Sequence, residues 1–289
     1  MNMDRLVIGA VGLGIMGSAM STHVLAAGHE VIGFDTDPDR LAAFAGTHAG
    51  STAEVASRAD VVLLSLPTID SLDSVSAEMA STGRDGLVAV EMGTFPLEAK
   101  ERAQATMARA GITLLDAPVS GTGLQAADAT LVVYASGDAE AFTVAEPILN
   151  LVGQGTYYLG EFGNGSRMKF VANLLVAIHT LATAEAHRLG AASGLDPDVI
   201  QEVIEAGVGS SRIFGIRGPM MATGTFEPPS ARMAIILKDA TIIADHAAST
   251  GAPTPLLDTA LGWYRVGVAE GLGEFDAAAL LTLLEANPR

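Results

Sequence analysis

The chain has 289 residues, 49% hydrophobic and 17% charged, so it carries enough apolar side chains to bury one large core or two moderate ones. It has 16 lysines and arginines against 33 aspartates and glutamates, and the net charge of −17 disfavours binding to nucleic acid or anionic membranes. Because there is no cysteine, disulfides and thiolate metal sites are excluded, and a reducing compartment is permitted.

The amino terminus and the apolar stretches indicate a cytoplasmic protein. The opening MNMDRLVIGAVG passes directly from apolar residues into glycines and lacks the basic region and cleavage site of a signal peptide. The longest apolar helical run, 168–184, is interrupted by polar residues and falls short of a membrane span. We therefore expect a cytoplasmic localisation and no membrane partner.

Short β-rich runs alternate with helical stretches through the first half of the chain. Such alternation is typical of βαβ units and a parallel sheet, and nearly continuous apolar runs fit strands covered on both faces. The predicted strands are Leu6–Val11, Glu30–Phe34, Val61–Leu66, Leu87–Met92, Ile112–Leu115 and Thr130–Ala135. We therefore expect an α/β Rossmann-type fold, a doubly wound parallel sheet, over residues 1–164.

Three glycines, Gly12, Gly14 and Gly17, follow the first predicted strand in GxGxxG spacing. The spacing alone is a weak signal, and a turn that only packs helix on strand is the alternative. Between a strand and a helix, however, such glycines allow a tight turn and close approach to a pyrophosphate. Asp35 ends the second predicted strand, VIGFD, where a carboxylate binds an adenosine ribose and repels a 2′-phosphate. The pattern predicts NAD rather than NADP.

Two later strands are followed by glycines and small hydroxyl residues. These segments are EMGTFP (91–96) and DAPVSGTG (116–123). Ligands of open parallel sheets bind at the carboxyl ends of the strands. We therefore expect both segments to contact a ligand.

Strand signals stop after Leu159, and the rest of the chain has helical patterns punctuated by glycine and proline. Gly160–Gly165 is the expected boundary, which separates residues 1–164 from an all-α C-terminal domain, 165–289. Asp196 before Pro197 predicts a capped helix start, and another helix is expected to begin near Ser230.

A lysine and an asparagine, Lys169 and Asn173, lie four residues apart where the apolar helix opens after GNGSRM. This spacing puts both side chains on one helix face. A lysine in an apolar run requires partners or a chemical task, unless it reaches the surface. If neutral, Lys169 can take the proton of an alcohol as its hydride leaves for NAD, and as an ammonium it can return that proton.

The ordered motifs resemble those of the β-hydroxyacid dehydrogenase family, which includes 3-hydroxyisobutyrate dehydrogenase and tartronate semialdehyde reductase. The motifs span nearly the whole chain and are GLGIMG, GHEVIGFD (28–35), DAPVSG, GNGSRMKFVAN and KDATIIA (238–244). The resemblance implies an NAD-dependent enzyme that transfers a hydride between the cofactor and a small 3-hydroxy acid, such as 3-hydroxyisobutyrate or glycerate, without a metal.

The resemblance also implies roles for individual residues. Lys169 is the acid/base, Asn173 helps to hold the substrate, and Asp239 is structural. The residues implied in substrate binding are Ser120, Gly121, Thr122 and Phe214. Those implied in cofactor binding are Gly12, Gly14, Ile15, Met16, Gly17, Asp35, Leu66, Pro67, Thr94 and Lys238.

Two positions depart from the family pattern. Thr122 stands where a second glycine is usual, and Ala129 replaces the glycine usually found before Thr130. The side chain at position 122 could narrow the substrate pocket or contribute a hydroxyl, so the identity of the acid stays open. Arg212 or Arg217 could meet a second anionic group on the substrate, although pairing with acidic residues is the more ordinary role of each.

Three other functions stay open: an imine reductase of the same architecture, a non-catalytic nucleotide-binding scaffold, and decarboxylation after oxidation as in the related 6-phosphogluconate dehydrogenases, whose helical domain is much longer. The presence of Lys169 argues against the first, and the combination of Lys169, Asn173 and Ser120 argues against the second. The histidines form no ligand-spaced cluster with carboxylates, so no metal is expected, and His179 and His187 are interpreted as packing residues.

A homodimer or homotetramer is expected, because so small and apolar a helical domain is poorly closed on its own. The side chains predicted to contact a second copy are Leu174, Leu175, Ile178 and Leu181.

Overall fold

The computed structural model describes residues 6–286, and the chain divides into two compact units, Met1–Lys169 and Phe170–Arg289. The described residues of the first unit form two hydrophobic clusters, and those of the second unit form one. Within the described range, no helix combines the length and the apolar character needed to cross a membrane.

The first unit is built on a six-stranded sheet with the order β3-β2-β1-β4-β5-β6, in which all neighbouring strands are parallel. One hydrophobic cluster covers each face, which explains why the central strands are apolar throughout. The strands are β1 Val7–Val11, β2 Glu30–Phe34, β3 Thr47–His48, β4 Val61–Leu64, β5 Val88–Glu91 and β6 Thr113–Asp116.

Within the described part of the first unit, seven helices connect the strands: α1 Ile15–Ala26, α2 Pro38–Ala43, α3 Thr52–Arg58, α4 Ile69–Ala80, α5 Leu97–Ala108, α6 Gly123–Ala127 and α7 Ala139–Val152. Side chains set several of their starts. The hydroxyl of Ser51 accepts the Glu54 N–H at 3.1 Å, and the Asp138 carboxylate accepts the Ala141 N–H at 2.8 Å.

The strand predicted at Thr130–Ala135 forms, but it does not belong to the parallel sheet. It is β8, Leu131–Ala135, in a separate three-stranded sheet with β7 Val119–Ser120 and β9 Gly153–Tyr158. β8 pairs antiparallel with β7 and parallel with β9. The expectation of one parallel sheet was therefore wrong for this strand, because apolar periodicity identifies a strand but not its partners.

The second unit is helical. Helix α8, Asn164–Ala192, begins in the first unit, and its residues from Phe170 onward belong to the second. The other helices are α9 Pro197–Glu205, α10 Arg212–Thr223, α11 Met233–Thr250, α12 Pro255–Ala269 and α13 Leu280–Ala286, with a 3₁₀ turn at Ala277–Ala279.

The helix predicted at Asp196-Pro197 is confirmed, since the Asp196 carboxylate accepts the Asp198 N–H at 2.9 Å. The helix expected near Ser230 begins at Met233 instead. Ser230 is used elsewhere, because its N–H and hydroxyl both donate to the Asp276 carboxylate.

Candidate active site

The glycine-rich loop between β1 and α1 leaves room for a ligand. Gly12 has a φ of +88°, and a Cβ there would collide with the carbonyl oxygen of Ser65. A Cβ on Gly17 would collide with the carbonyl oxygen of Gly12, so the packing of the chain itself requires both glycines. At Gly14, by contrast, a Cβ would meet only Arg40 Nη1 at 3.8 Å, which leaves open space beside this residue.

Helix α1 begins at this open space without a side-chain cap. Gly14 is the N-cap residue, and the first turn, which starts with the exposed Ile15 and the partly buried Met16, contains no acidic residue. Uncapped N–H groups at a helix start favour a pyrophosphate. The open space and the uncapped helix therefore fit the pyrophosphate of a dinucleotide.

Asp35 lies just beyond β2 and is held by the backbone. Its carboxylate accepts the Leu13 N–H at 2.6 Å and the Asp37 N–H at 2.8 Å. Arg40, on α2, places its guanidinium 3.8 Å from Asp35 and 3.2 Å from Asp37. The loop that follows β2 thus presents a fixed carboxylate next to the glycine loop, with an arginine already engaged by two acids.

The other residues of the first unit that are predicted to bind the cofactor follow β4 and β5. Leu66 and Pro67 come after β4, and a Cβ on Gly12 would lie 3.6 Å from Leu66 Cδ2. Thr94 follows β5 and is partly exposed. Their contact with the cofactor stays a prediction.

Lys169 lies in the second turn of α8, and its side chain is only 8% exposed. The turn before it is anchored to the end of β6. The Ser166 N–H donates to Asp116 Oδ2 at 2.7 Å, and the Ser166 hydroxyl donates to Asp116 Oδ1 at 2.8 Å. The Gly165 N–H donates to the Ser136 hydroxyl at 2.9 Å. Asp116 therefore caps the start of the helix that carries Lys169.

Asp116 is itself part of a buried triad, which we define as Glu91, Lys100 and Asp116. All three side chains are 0% exposed. Lys100 Nζ lies 2.5 Å from Glu91 Oε2 and 2.7 Å from Asp116 Oδ1, and it donates to the Gly93 carbonyl at 2.8 Å. Glu91 Oε1 accepts the Gly93 N–H at 2.7 Å. The ammonium thus donates to Gly93 and Asp116 and forms an ion pair with Glu91.

Burial and charge act in opposite directions on the buried triad. Burial lowers the pKa of Lys100, but the Asp116 and Glu91 carboxylates outweigh it and raise that pKa above its usual value, so Lys100 stays an ammonium. Burial raises the pKa of Glu91, and this effect exceeds the opposing effect of Lys100. Lys100 is therefore the positively charged member of the triad.

In the second unit, Asp239 connects two residues predicted at the site. Asn173 Nδ2 donates to Asp239 Oδ2 at 2.7 Å, and Lys238 Nζ lies 2.8 Å from Asp239 Oδ1. A carboxylate only accepts hydrogen bonds, so the amide NH₂ of Asn173 faces Asp239 and its carbonyl oxygen is directed elsewhere. Asp239 thus orients Asn173 and pairs with Lys238.

Asn173 stands one turn after Lys169 on α8. This is the i, i+4 relation on which the sequence argument was based, and it places both side chains on one face of the helix.

Ser120 and Gly121 lie where β7 ends. Gly121 has a φ of +138°, and a Cβ there would approach Leu131 Cδ2 to 2.6 Å, so a glycine is needed at this position. Thr122 is the N-cap residue of α6; its N–H and its hydroxyl contact Gln125 Oε1 at 2.8 and 2.5 Å. The hydroxyl of Thr122 therefore donates its proton to Gln125 and not to a substrate.

Ala129, the second departure from the family pattern, has a φ of 51°. Left-handed backbone costs a non-glycine residue roughly 1–2 kcal/mol. The glycine expected here would avoid that cost in the turn between α6 and β8.

Arg217 is not available to a substrate. It is 2% exposed, its Nε lies 3.1 Å from Asp276 Oδ1, and its Nη1 donates to the Thr180 hydroxyl at 2.6 Å. Of the two roles left open for Arg217, the structure therefore shows pairing with an acid, because Asp276 neutralises the guanidinium inside the second unit. Arg212, in contrast, is exposed.

Phe214 is buried and stacks on His187, with ring centroids 5.5 Å apart. The packing role predicted for His187 agrees with this stack, and burial lowers its pKa, with a smaller opposing effect from Gln201. The role of Phe214 in substrate binding stays a prediction.

Comparison with known proteins identifies the family. Residues 7–160 match the family described as the NAD binding domain of 6-phosphogluconate dehydrogenase, and residues 163–284 match that described as NAD-binding of NADP-dependent 3-hydroxyisobutyrate dehydrogenase. L-threonate dehydrogenase from Cupriavidus necator is 34% identical, over 96% of this chain and 95% of that protein. The chain belongs to the β-hydroxyacid dehydrogenase family. It is an oxidoreductase of hydroxy acids that uses a nicotinamide dinucleotide.

Two further comparisons support the family and the fold. The NAD-dependent L-serine dehydrogenase of Pseudomonas aeruginosa is 30% identical over 96% of this chain and 97% of its own length. The structure of Mycobacterium tuberculosis 3-hydroxyisobutyrate dehydrogenase with L-serine has a TM-score of 0.88 at 29% identity, and the match covers 97% of this chain and 99% of that one. The Rossmann-type region followed by a helical region is thereby confirmed.

Two parts of this arrangement were not predicted from the sequence patterns. Glu91 and Lys100 were not among the predicted site residues, and the structural role of Asp239 was implied only by the resemblance. A signal for Lys100 was present, since it lies on the same helix face as Ala99, Ala103 and Met107, which are all buried. A lysine on an apolar face can indicate a buried ion pair as well as a catalytic amine.

Proposed function

We propose that the protein transfers a hydride between NAD and a small 3-hydroxy acid, with Lys169 as the acid/base and without a metal. The observation that carries this proposal is a lysine that is 8% exposed on a helix start anchored by Asp116. A group held in this way loses little freedom when it acts on a substrate. When bound, the dinucleotide supplies the nicotinamide ring that accepts or returns the hydride.

The side chains have complementary tasks in this proposal. Lys169, as a neutral amine, takes the hydroxyl proton of the substrate, and its ammonium returns a proton to the carbonyl oxygen in the reverse direction. Asn173 offers a carbonyl oxygen to the substrate hydroxyl, because its NH₂ is held by Asp239. Ser120 and Gly121 bind the substrate carboxylate.

The substrate class follows from what the relatives act on. L-threonate, L-serine and 3-hydroxyisobutyrate, which appear in the names of similar proteins, all combine a carboxylate with a hydroxyl group on the third carbon. We propose a substrate with the same two groups. A panel of these acids and glycerate, each with NAD and with NADP, tests the proposal through the absorbance of the reduced cofactor. Reduction of cyclic imines without oxidation of any acid would favour the imine reductase alternative.

The first prediction concerns the preference of the protein for NAD over NADP. We expect NAD to be favoured over NADP at least tenfold in kcat/KM, about 1.4 kcal/mol, because a 2′-phosphate would meet the Asp35 carboxylate. Asp35→Ser is expected to narrow the preference, since it also releases Arg40, now 3.8 Å from that carboxylate, toward a 2′-phosphate. Steady-state kinetics with both cofactors measure this.

Asp39→Asn is the matched control for this experiment. It removes an equal charge from an exposed position on α2, so the ratio of the two cofactors should change little. Comparable kcat/KM values for NAD and NADP in the wild-type protein would contradict the expectation.

We also propose that the protein is a homodimer or homotetramer. Leu181, predicted to contact a second copy, lies in the core of the second unit, and Leu174 and Ile178 pack partly against that core. Val171 and Leu175 are 59% and 46% exposed and lie one turn apart on α8. Of the four residues first proposed, Leu175 therefore fits an interface best, and Val171 joins it.

Light scattering at micromolar concentration should therefore give the mass of a dimer or tetramer. Val171→Glu/Leu175→Glu is expected to reduce that mass, since two charges would be buried at the interface. Leu256→Glu, on the exposed face of α12, is the control and should leave the mass unchanged. A monomeric wild-type protein would refute the proposal.

A further inference from the structure

The buried triad is costly, and the proposed proton transfer does not use it. Removing one cation and two carboxylates from water carries a large desolvation penalty, which mutual attraction offsets only with very good geometry. Apolar side chains of similar size often give equal or greater stability. Stability is therefore a weak explanation for Glu91, Lys100 and Asp116. The segments that the triad joins indicate its role better.

The triad joins two strand ends. Glu91 ends β5 and Asp116 ends β6, and these two acids are directly opposite in the register of the parallel strands. Like charges in that arrangement repel each other unless a cation lies between them. Lys100 provides this cation from α5, with distances of 2.5 and 2.7 Å to the two carboxylates.

Each strand end leads to a segment of the proposed site. Lys100 also donates to the Gly93 carbonyl at 2.8 Å, which fixes the residue before Thr94. Asp116 is followed by Ser120 and Gly121, and its carboxylate holds Ser166, three residues before Lys169. One ammonium thus connects three segments that carry candidate site residues.

We propose that Lys100 is a positioning residue for the hydride-transfer reaction, because it holds Glu91 and Asp116 together and so fixes the first turn of α8, which directly precedes Lys169. This inference rests on the proposed role of Lys169. Lys100 has no contact with substrate in the proposal; it acts through Asp116 and Ser166. A shift of about 1 Å in a catalytic group can cost on the order of 10²-fold in rate.

The main test is Lys100→Met, a change of similar length without the charge. We expect kcat to fall about 10- to 100-fold at a temperature well below the melting temperature. Cofactor affinity, measured by fluorescence titration, should fall much less than kcat, because the glycine loop and Asp35 bind the pyrophosphate and the adenosine, and the Asp35 carboxylate is held by Leu13 and Asp37 rather than by the triad.

Met107→Ala is the matched control. Met107 lies on the same face of α5, two turns after Lys100, and is fully buried. Its truncation is expected to lower the melting temperature without lowering kcat. Equal losses of kcat in the two variants, at equal loss of melting temperature, would show that Lys100 is only structural and would overturn the inference.

A double-mutant cycle with Lys169→Ala separates this inference from the proposed function. If Lys100 acts through Lys169, then Lys100→Met should reduce the residual kcat of Lys169→Ala much less than it reduces the wild-type kcat. Near-normal turnover by Lys169→Ala would refute the proposed function. Near-normal turnover by Lys100→Met, with Lys169→Ala inactive, would overturn the positioning role alone.

If Lys100→Met fails to fold, Ser166→Ala tests the same positioning role. This change removes the hydroxyl that donates to Asp116 at 2.8 Å and keeps the backbone N–H that donates to the same carboxylate. A several-fold loss of kcat that is absent from the Lys169→Ala background supports the inference. Unchanged kcat in Ser166→Ala overturns it.

Discussion

Lys169→Ala is expected to reduce kcat by about 10²- to 10⁴-fold, the range typical for the loss of a general acid or base. Cofactor binding should change little, because the glycine loop and Asp35 keep their structure. Steady-state kinetics on a hydroxy acid that the wild-type protein oxidises measure kcat, and titration with the cofactor measures its affinity. Binding and turnover should thus separate.

Lys169→Arg distinguishes proton transfer from charge. A guanidinium retains its proton at any working pH and cannot act as a base, so this variant should be nearly as slow as Lys169→Ala. If charge alone were required, Lys169→Arg would restore activity. That result would remove Lys169 from the acid/base role.

Asn173→Ala is expected to cost less than the loss of the lysine, since Asn173 orients the substrate rather than moving the proton. The double variant should be less impaired than the product of the two single effects, because neighbours that serve one step are not independent. Normal turnover by Lys169→Ala would direct attention to Lys238, which pairs with Asp239 at 2.8 Å.

The parts of this structure that the sequence predicts well are those specified by short spacings. GxGxxG after an apolar run predicted the turn between β1 and α1, and the i, i+4 spacing predicted that Lys169 and Asn173 share a helix face. Both predictions depend only on residues that are close to one another in the sequence. Local backbone geometry is sufficient to position such residues.

The parts that were missed depend on pairing between distant segments. The buried triad requires the register of β5 against β6, which brings Glu91 opposite Asp116, and the sequence contains no direct record of that register. For the same reason β8 was assigned to the wrong sheet. The sequence left two roles open for Arg217, because its partner, Asp276, lies 59 residues away.

The pair formed by Arg217 and Asp276 leads to the largest expected effect on stability. Asp276 is fully buried, and its carboxylate accepts hydrogen bonds from Arg217, Ser230, Ala231 and Ala278 at distances from 2.6 to 3.1 Å. Asp276→Ala leaves the Arg217 guanidinium buried without a charge partner. Breaking such a pair costs about 3–5 kcal/mol. Denaturant unfolding measures the difference from the wild-type protein.

Arg232→Ala is the control for this prediction, because Arg232 forms an exposed ion pair with Glu274 at 3.2 Å. Exposed pairs contribute roughly 0–1 kcal/mol, so this variant should be close to wild type. Equal losses of stability in Asp276→Ala and Arg232→Ala would show that the buried pair contributes no more to stability than the exposed pair.

The contribution of Asp276 should also depend on pH in a defined direction. Burial raises the pKa of Asp276, but the Arg217 charge and the hydrogen bonds from Ser230, Ala231 and Ala278 outweigh it and hold the pKa below the usual value of 3.8. A group with a lowered folded-state pKa stabilises the protein fully above its unfolded-state pKa, and that stabilisation is lost as the pH falls through the folded-state value. The stability difference between wild type and Asp276→Asn should therefore be constant near neutral pH and shrink below about pH 4. A difference that grew in acid would mean that Asp276 is protonated in the folded protein and that Arg217 is neutralised by another group.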